Sequence, residues 1–232
     1  MSTDVLLYSG GIDSLIAWYY LAKPLGLYIH LNHTYGKKEI RAMEKLPVKY
    51  DIYRLNWNSF EKPNAHIPGR NLLLCLQAAA MGYETIYLVA QRGEQNIPDR
   101  SPKFFEQTSE VLSFHFQKDI KIVNPFPDKT KGQMVAWYLN EGLPPNNLFE
   151  AVSCYTGYDI LRKYTSLQCS ECPACFRKFV CLESNKINTH PHIDTRLMIN
   201  WAYKNYIPRL HEYSEDRVVE IKTALEFASK RL

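Results

Sequence analysis

Up to Asn140, the chain alternates between short apolar runs and longer stretches in which apolar residues recur at helical spacing. Strands are predicted over Asp4–Tyr8, Leu27–Asn32, Asp51–Trp57, Thr85–Ala90 and Lys121–Val123. Helices are predicted over Asp13–Lys23, Lys37–Lys45, Asn71–Met81, Pro102–Gln117 and Lys131–Asn140. Because strands that alternate with helices pair in parallel, the pattern predicts an α/β fold, a Rossmann-like parallel sheet with helices on both faces.

A change of pattern after Gly142 predicts a second structural unit. Proline and asparagine become frequent, most of the cysteines follow, and the chain closes with an amphipathic helix over Glu215–Leu232. We expect residues 1–145 to form the sheet domain and residues 146–232 a small helical subdomain packed on it. The apolar face of the last helix is expected to pack against the core, with a dimer face as the alternative.

Composition and charge exclude several classes of protein. The 232 residues include 28 Lys and Arg against 24 Asp and Glu, a formal net charge of +4. These charges are spread along the chain, so direct nucleic-acid binding is not indicated. The longest apolar segment, Leu72–Met81, is too short to span a bilayer, and no signal peptide is visible. We therefore expect a cytoplasmic protein without a membrane partner.

A glycine-containing turn joins the first strand to the first helix: Tyr8-Ser9-Gly10-Gly11-Ile12-Asp13-Ser14. Glycines let the backbone approach an anion, hydroxyls add donors, and the helix directs free N–H groups towards a phosphate. A tight structural turn is the alternative. The Gly-Lys-Ser/Thr of the Walker loop and the third glycine of the dinucleotide fingerprint are absent. The turn predicts binding of nucleotide phosphates, most simply those of ATP.

Five of the six cysteines cluster between residues 154 and 181. Cys169, Cys172 and Cys175 form two overlapping Cys-x-x-Cys steps, and Cys154, brought back by the intervening loop, completes a tetrahedron for structural zinc. An iron–sulfur cluster is the alternative, while disulfides do not suit a chain without a secretion signal. Cys75 and Cys181 are predicted to be buried apolar residues.

The combination of motifs resembles a known family. The Ser-Gly-Gly-x-Asp-Ser turn is similar to the pyrophosphate loop of N-type ATP pyrophosphatases, the PP-loop superfamily with an adenine nucleotide α-hydrolase-like fold. Together with Tyr35-Gly36, Pro68–Asn71, Ser153–Tyr155 and the Cys-x-x-Cys-x-x-Cys run, it resembles 7-cyano-7-deazaguanine synthases from residue 4 to about residue 180. Residues 1–145 would then be the ATP-binding domain and residues 146–232 the zinc-binding one.

The resemblance implies a carbon–nitrogen bond-forming ligase of deazapurine and queuosine biosynthesis. In that family, ATP adenylates the carboxylate of 7-carboxy-7-deazaguanine, ammonia displaces AMP to give the amide, and a second activation yields the nitrile. The family implies that magnesium assists, that zinc is structural and that the protein is a homodimer.

The resemblance also implies roles for residues of this sequence. The catalytic set is Ser9, Asp13, Ser14 and Lys131, where Asp13 helps to hold magnesium and Lys131 neutralises phosphate charge. The ATP-binding set is Tyr8, Ser9, Gly10, Gly11, Ile12, Asp13, Ser14, Arg70 and Asn71. The substrate-binding set is Tyr35, Asp99, Arg100 and Ser101. Cys154, Cys169, Cys172 and Cys175 are the metal ligands.

Two segments depart from the family pattern. Ala90-Gln91-Arg92 stands where the family carries Gly-x-Asn-x-x-Asp, and Ile97–Pro102 stands where it carries Tyr-Pro-Asp-Cys-Arg-Pro, with the arginine moved by one place. The acceptor is therefore open. The alternatives are a relative that joins a deazaguanine acid to a protein amine, as in some antiphage systems, a non-catalytic nucleotide-binding module, and a tRNA sulfur-transfer enzyme.

Overall fold

The fold was analysed on a computed structural model, which describes residues 3–157, 168–190 and 192–232. Within these ranges, five parallel strands form one sheet in the order β3-β2-β1-β4-β5. The strands are β1 (Asp4–Leu7), β2 (Leu25–His30), β3 (Tyr50–Arg54), β4 (Thr85–Tyr87) and β5 (Lys121–Val123). In the centre, Val5 pairs with Leu25 on one side and Ile86 on the other. The predicted parallel α/β sheet is confirmed.

The helices lie between the strands and beyond them. The first five are α1 (Ile12–Tyr20), α2 (Gly36–Met43), α3 (Arg70–Ala80), α4 (Pro102–Phe116) and α5 (Lys131–Asn140). The C-terminal part adds α6 (Pro145–Glu150), α7 (Pro173–Glu183), α8 (Thr195–Asn205) and α9 (Glu215–Ser229). Short 3-10 helices cover Asn58–Phe60, Pro98–Arg100 and Ile207–Glu212. The predicted return loop from Cys154 to Cys169 includes residues 158–167, which lie outside the described residues.

The sheet buries both of its faces. Along β1, Leu6 belongs to a core cluster with residues of α1, α2 and α5, whereas Val5 and Leu7 belong to a second cluster with residues of α3 and α4. This alternation follows from the two-residue period of a strand. Helices therefore cover both faces, as the sequence pattern predicts.

The C-terminal helices form a third core cluster and also contact the first. Phe176 and Phe179 of α7 pack with residues of α8 and α9, while Cys181, on the same helix, joins the core cluster beside α1. Cys181 and Cys75 are fully buried, as predicted, and all six cysteines are free thiols. In the described residues, no helix has the length and apolar character needed to cross a membrane.

Several predicted boundaries differ by one to three residues from the observed ones, and β2 covers Leu25–His30 rather than Leu27–Asn32. Helix α1 ends at Tyr20 rather than at Lys23, because Ala22 and Lys23 adopt positive φ angles of 56° and 65°. The last helix ends at Ser229, three residues before the end of the chain. Its buried residues are Ile221, Ala224, Leu225 and Ala228. The core-facing reading of this helix is confirmed.

Candidate functional site

A cavity lies at the carboxyl ends of β1, β2 and β4, with α7 at its edge. The order of the strands reverses between β1 and β4, and open parallel sheets bind ligands at such a position. Predicted nucleotide and substrate residues that line it are Tyr8, Ser9, Gly11, Ile12, Asp13, Ser14, Tyr35, Arg70, Asn71, Arg100 and Lys131. Most of the site residues expected from the sequence therefore surround one cavity.

Gly10 shapes the turn from behind the cavity. Its φ is +68°, and a Cβ atom there would lie 2.8 Å from Cγ of Met43 on α2. Its carbonyl accepts a 2.9 Å hydrogen bond from the N–H of Val152. A glycine is needed at this position, since the left-handed backbone and the close approach of α2 both exclude a side chain.

The serines of the turn form a connected polar group. The Ser14 hydroxyl accepts a hydrogen bond from the Ser9 N–H at 3.3 Å and donates one to the Gly11 carbonyl at 3.2 Å. The two serine hydroxyl oxygens are 3.3 Å apart. Helix α1 then begins at Ile12, and no described side chain caps its first N–H groups. This helix N-terminus can receive an anion.

Asp13 and Lys131 form an ion pair in the cavity wall. Nζ of Lys131 lies 2.9 Å from Oδ2 of Asp13. Burial lowers the pKa of Lys131, but the charge and hydrogen bond of Asp13, together with Cys181, raise it by more, so the lysine stays positive. Oδ1 of Asp13 is buried and has no hydrogen-bond partner among the described residues. A carboxylate oxygen left free in a phosphate site fits the oxygen ligand that Mg²⁺ prefers.

Other unpartnered polar atoms lie around the same cavity. Oη of Tyr8 and Nδ1 of His33 are buried and, within the described ranges, make no hydrogen bond. Both residues line the cavity. Because buried polar atoms are nearly always paired in native proteins, their concentration here indicates a site that a polar ligand completes.

Tyr35, Arg70 and Asn71 are held in place by neighbouring groups. Nη1 of Arg70 donates a 3.0 Å hydrogen bond to Oη of Tyr35. Nδ2 of Asn71 donates one, also of 3.0 Å, to the carbonyl of Asp99. Arg70 and Asn71 open α3, directly after Gly69 in a left-handed conformation. The segment of residues 97–102, called the substrate segment below after the role that the family resemblance implies, therefore rests on the first turn of α3.

Arg100 of the substrate segment is paired with a residue that sequence reasoning missed. It forms an ion pair with Glu94, and both side chains line the cavity. Burial raises the pKa of Glu94, but the charges of Arg100, Lys131 and Arg177 and a hydrogen bond from Gln91 together lower it by more, so this carboxylate is ionised. Asp99 and Ser101 lie outside the cavity lining. The Ser101 hydroxyl caps α4 by accepting the Phe104 N–H at 3.2 Å. Substrate contact by Asp99 and Ser101 stays a prediction.

A second polar cluster in the cavity lining was also missed. Oε2 of Glu39 accepts hydrogen bonds from the Tyr28 hydroxyl at 2.7 Å and from Nε2 of His33 at 2.9 Å. Burial and the neighbouring Glu39 together raise the pKa of Tyr28. Glu39 follows the Tyr35-Gly36 pair on α2 by one helical turn. That spacing is the signal from which its position could have been expected.

The predicted metal ligands come together at the edge of this cavity. The Sγ atoms of Cys154, Cys169, Cys172 and Cys175 all lie within 4.8 Å of one another. Those of Cys169 and Cys175 are 3.9 Å apart. A tetrahedral zinc site with Zn–S bonds of about 2.3 Å requires sulfur atoms about 3.8 Å apart. The N–H of Cys175 also points to Sγ of Cys172 at 3.4 Å. The cluster fits a metal ion bound by four thiolates.

The segment around Cys154 is tied to the turn of residues 8–14, which is called the phosphate turn below after the ligand that the sequence predicts. Cys154 lines the cavity, and its carbonyl accepts a 2.6 Å hydrogen bond from Nζ of the fully buried Lys38. Two residues earlier, Val152 donates to Gly10. On α7, Lys178 donates to the Phe149 carbonyl at 2.8 Å and also to that of Ala151. Hydrogen bonds from the side chains of two buried lysines to backbone carbonyls therefore hold the wall between the cavity and the cysteines.

Comparison with known proteins agrees with this arrangement. The family model described as Queuosine biosynthesis protein QueC matches residues 46–186. The 7-cyano-7-deazaguanine synthase of Marinobacter nauticus is 26% identical over 217 residues, covering 79% of this chain and 93% of that protein. The Pyrococcus furiosus synthase is 27% identical over 218 residues, covering 75% and 89%. The chain therefore belongs to the QueC family of queuosine biosynthesis proteins.

Proposed function

We propose that this chain is an ATP-dependent ligase that converts 7-carboxy-7-deazaguanine and ammonia into 7-cyano-7-deazaguanine. The acid would be adenylated, ammonia would form the amide, and a second activation would give the nitrile, with release of AMP and pyrophosphate. Membership of the QueC family and relatives named 7-cyano-7-deazaguanine synthase support this activity. The observation that carries it is the Asp13–Lys131 pair, with one carboxylate oxygen free, beside the complete Ser-Gly-Gly-x-Asp-Ser turn.

The phosphate side of the site follows from charge. The uncapped N-terminus of α1 and the hydroxyls of Ser9 and Ser14 would bind the polyphosphate of ATP. Lys131 would neutralise the charge that develops as pyrophosphate leaves, which lowers the barrier for attack at the α-phosphorus. Oδ1 of Asp13 would help to hold Mg²⁺, and the ion would supply positive charge that polarises the phosphates.

The acid would bind beside Tyr35 and the substrate segment. Arg70 holds the Tyr35 hydroxyl, and Arg100 is positioned by Glu94, so both arginines present oriented donors to the cavity. We assign Tyr35 and Arg100 to the deazaguanine acid and Arg70 and Asn71 to ATP. Asp99 and Ser101 remain candidate substrate residues, reached only if the Pro98–Arg100 turn moves.

The four-cysteine cluster would hold structural zinc. Four thiolates fill a tetrahedral coordination shell and leave no position for a substrate, so the metal stabilises the subdomain of residues 146–232. Six free cysteines suit a reducing compartment, which supports the cytoplasm. We also propose a homodimer, for which the exposed Val111 and Phe114 on α4 offer an apolar surface.

Product analysis by mass spectrometry tests the activity. Purified zinc-loaded protein would be incubated with ATP, Mg²⁺, ammonia and 7-carboxy-7-deazaguanine, with matched reactions that omit the acid or the ammonia. A free nitrile together with AMP and pyrophosphate, formed only in the complete mixture, is the expected result. Intact-protein mass spectra from the same samples would detect a deazaguanine joined to a protein amine.

Other outcomes contradict the proposal in distinct ways. Accumulation of the amide without the nitrile would show that the reaction ends at the amide. An increase in protein mass would show that the acceptor is a protein amine rather than ammonia. Failure to consume ATP with this acid would leave only binding of a nucleotide and remove the ligase activity.

A further inference from the structure

Arg177 is a cavity residue to which neither sequence nor family pattern assigns a role. It lies on α7, two residues after the metal ligand Cys175, and its half-buried side chain lines the cavity. The remaining Arg and Lys side chains in the lining are engaged. Lys131 pairs with Asp13, Arg100 pairs with Glu94, and Arg70 donates to Tyr35.

Arg177 differs from those cations because it has neither an ion pair nor a hydrogen bond within residues 3–157, 168–190 and 192–232. A guanidinium carries five N–H donors in a fixed plane. To withdraw such a group from bulk water without acceptors is unfavourable, and the cost is recovered only when an acceptor arrives. The arginine therefore has the state of a residue that awaits an anionic ligand.

Four neighbouring groups act on Arg177 electrostatically and raise its pKa. They are Tyr155, Glu94, Tyr206 and Asp13. Asp13 belongs to the phosphate turn, and Glu94 belongs to the loop that leads into the substrate segment. Arg177 consequently shares one cavity with Asp13 of the phosphate turn and with Glu94.

The position of Arg177 is fixed by its helix. Cys172 and Cys175 anchor the start of α7 in the metal cluster, and Lys178 is bound to the carbonyls of Phe149 and Ala151. Neighbouring positions on one helix turn point in different directions, so Lys178 enters the core while Arg177 enters the cavity. The fixed helix places the side chain of Arg177 at the cavity, where its planar guanidinium can make a two-point contact.

We propose that Arg177 is a substrate-binding residue that holds an oxyanion between the phosphate turn and the acid site. The ligand chemistry is a planar or tetrahedral oxyanion bound by paired N–H donors, supplied either by the carboxylate of the acid or by a phosphate of ATP. This assignment deepens the proposed ligase function and rests on it. Lysine would supply the charge but not the paired donors.

Calorimetric titrations test the assignment without requiring turnover. Wild type, Arg177→Lys and Arg177→Gln would each be titrated separately with ATP–Mg²⁺ and with 7-carboxy-7-deazaguanine. Arg209→Gln is the matched control, because Arg209 is an exposed arginine of the same C-terminal region, paired with Glu212. Metal content and thermal midpoint would be recorded for every variant.

Arg177→Gln is expected to raise the dissociation constant of one of the two ligands by about 10- to 100-fold, as for a lost hydrogen bond to a charged group. Arg177→Lys should recover part of that loss. Weaker binding of the acid would show that Arg177 contacts its carboxylate, and weaker binding of ATP would show that Arg177 contacts a phosphate. Unchanged affinity for both ligands would overturn the proposal, as would loss of metal or of folding in both variants. If wild type binds ATP but does not convert the acid, the ligase function fails, while the ATP titration alone still decides the role of Arg177.

Discussion

The side chain of Lys38 and the backbone of Cys154 are joined by a 2.6 Å hydrogen bond from Nζ to the carbonyl oxygen. Lys38 is fully buried on α2, whereas Cys154 belongs to the metal cluster and lines the cavity. Val152, two residues before Cys154, donates a hydrogen bond to the Gly10 carbonyl of the phosphate turn. The segment that carries Cys154 of the four-cysteine cluster therefore also forms a wall of the candidate active site.

Replacement of Lys38 by methionine should destabilise this wall. The Cys154 carbonyl would lose its donor in a buried environment, which should lower the free energy of unfolding by about 2 kcal/mol. Urea denaturation measures the change. Lys37→Met is the matched control, because Lys37 is the preceding residue on the same helix and is exposed. Equal stabilities of the two variants would show that the hydrogen bond contributes nothing.

Replacement of Cys172 by serine should remove the metal and destabilise the C-terminal helices. Metal binding by four thiolates contributes directly to folding, so the thermal midpoint should fall by about 10 °C or more. Metal analysis and thermal unfolding measure the two effects. Cys75→Ala is the control, since Cys75 is a buried cysteine on α3 outside the cluster. A folded, metal-free Cys172→Ser protein with an unchanged midpoint would contradict the structural role.

Regular elements were readable from the sequence where local chemistry sets their bounds. The predicted limits of α5 and β5 are confirmed. Helix α5 starts with a capping box in which Thr130 and Gln133 satisfy each other's backbone N–H groups. The end of α1 was missed because Ala22 and Lys23 adopt positive φ, a conformation that neither residue type signals.

The candidate site could be predicted from the sequence only where its residues are close together along the chain. The turn around Asp13 and the repeated cysteine spacing are local patterns with a chemical meaning of their own. Glu39, Glu94 and Arg177 reach the cavity because α2, the loop after β4 and α7 approach it in three dimensions. Apart from the one-turn spacing of Glu39 from Tyr35, no periodicity distinguishes these residues from solvated helix or loop positions, so the folded structure was needed to find them.

Replacement of Asp13 by asparagine should reduce pyrophosphate release at least about 100-fold, because the phosphate site loses a charged ligand for the cation and the partner of Lys131. The four-cysteine metal should remain bound. Since a buried lysine without its carboxylate is destabilising, Asp13→Asn combined with Lys131→Met should recover stability but not activity. Asp128→Asn, at an exposed position, is the control. Turnover retained by Asp13→Asn would remove the carboxylate from the mechanism.

The Tyr28–Glu39 hydrogen bond should make stability depend on pH in the alkaline range. The pKa of Tyr28 is raised in the folded state by burial and by Glu39, so the folded protein keeps a proton that the unfolded chain releases above about pH 10. The stabilisation by this hydroxyl is complete below that pH and is lost above it. Relative to Tyr28→Phe, the wild-type free energy of unfolding should fall by about 1.4 kcal/mol per pH unit. Denaturation between about pH 8 and pH 11 measures the difference, and Tyr53→Phe, an exposed tyrosine of β3, controls for loss of a hydroxyl. A difference that stays constant through this range would show that Tyr28 ionises equally in both states.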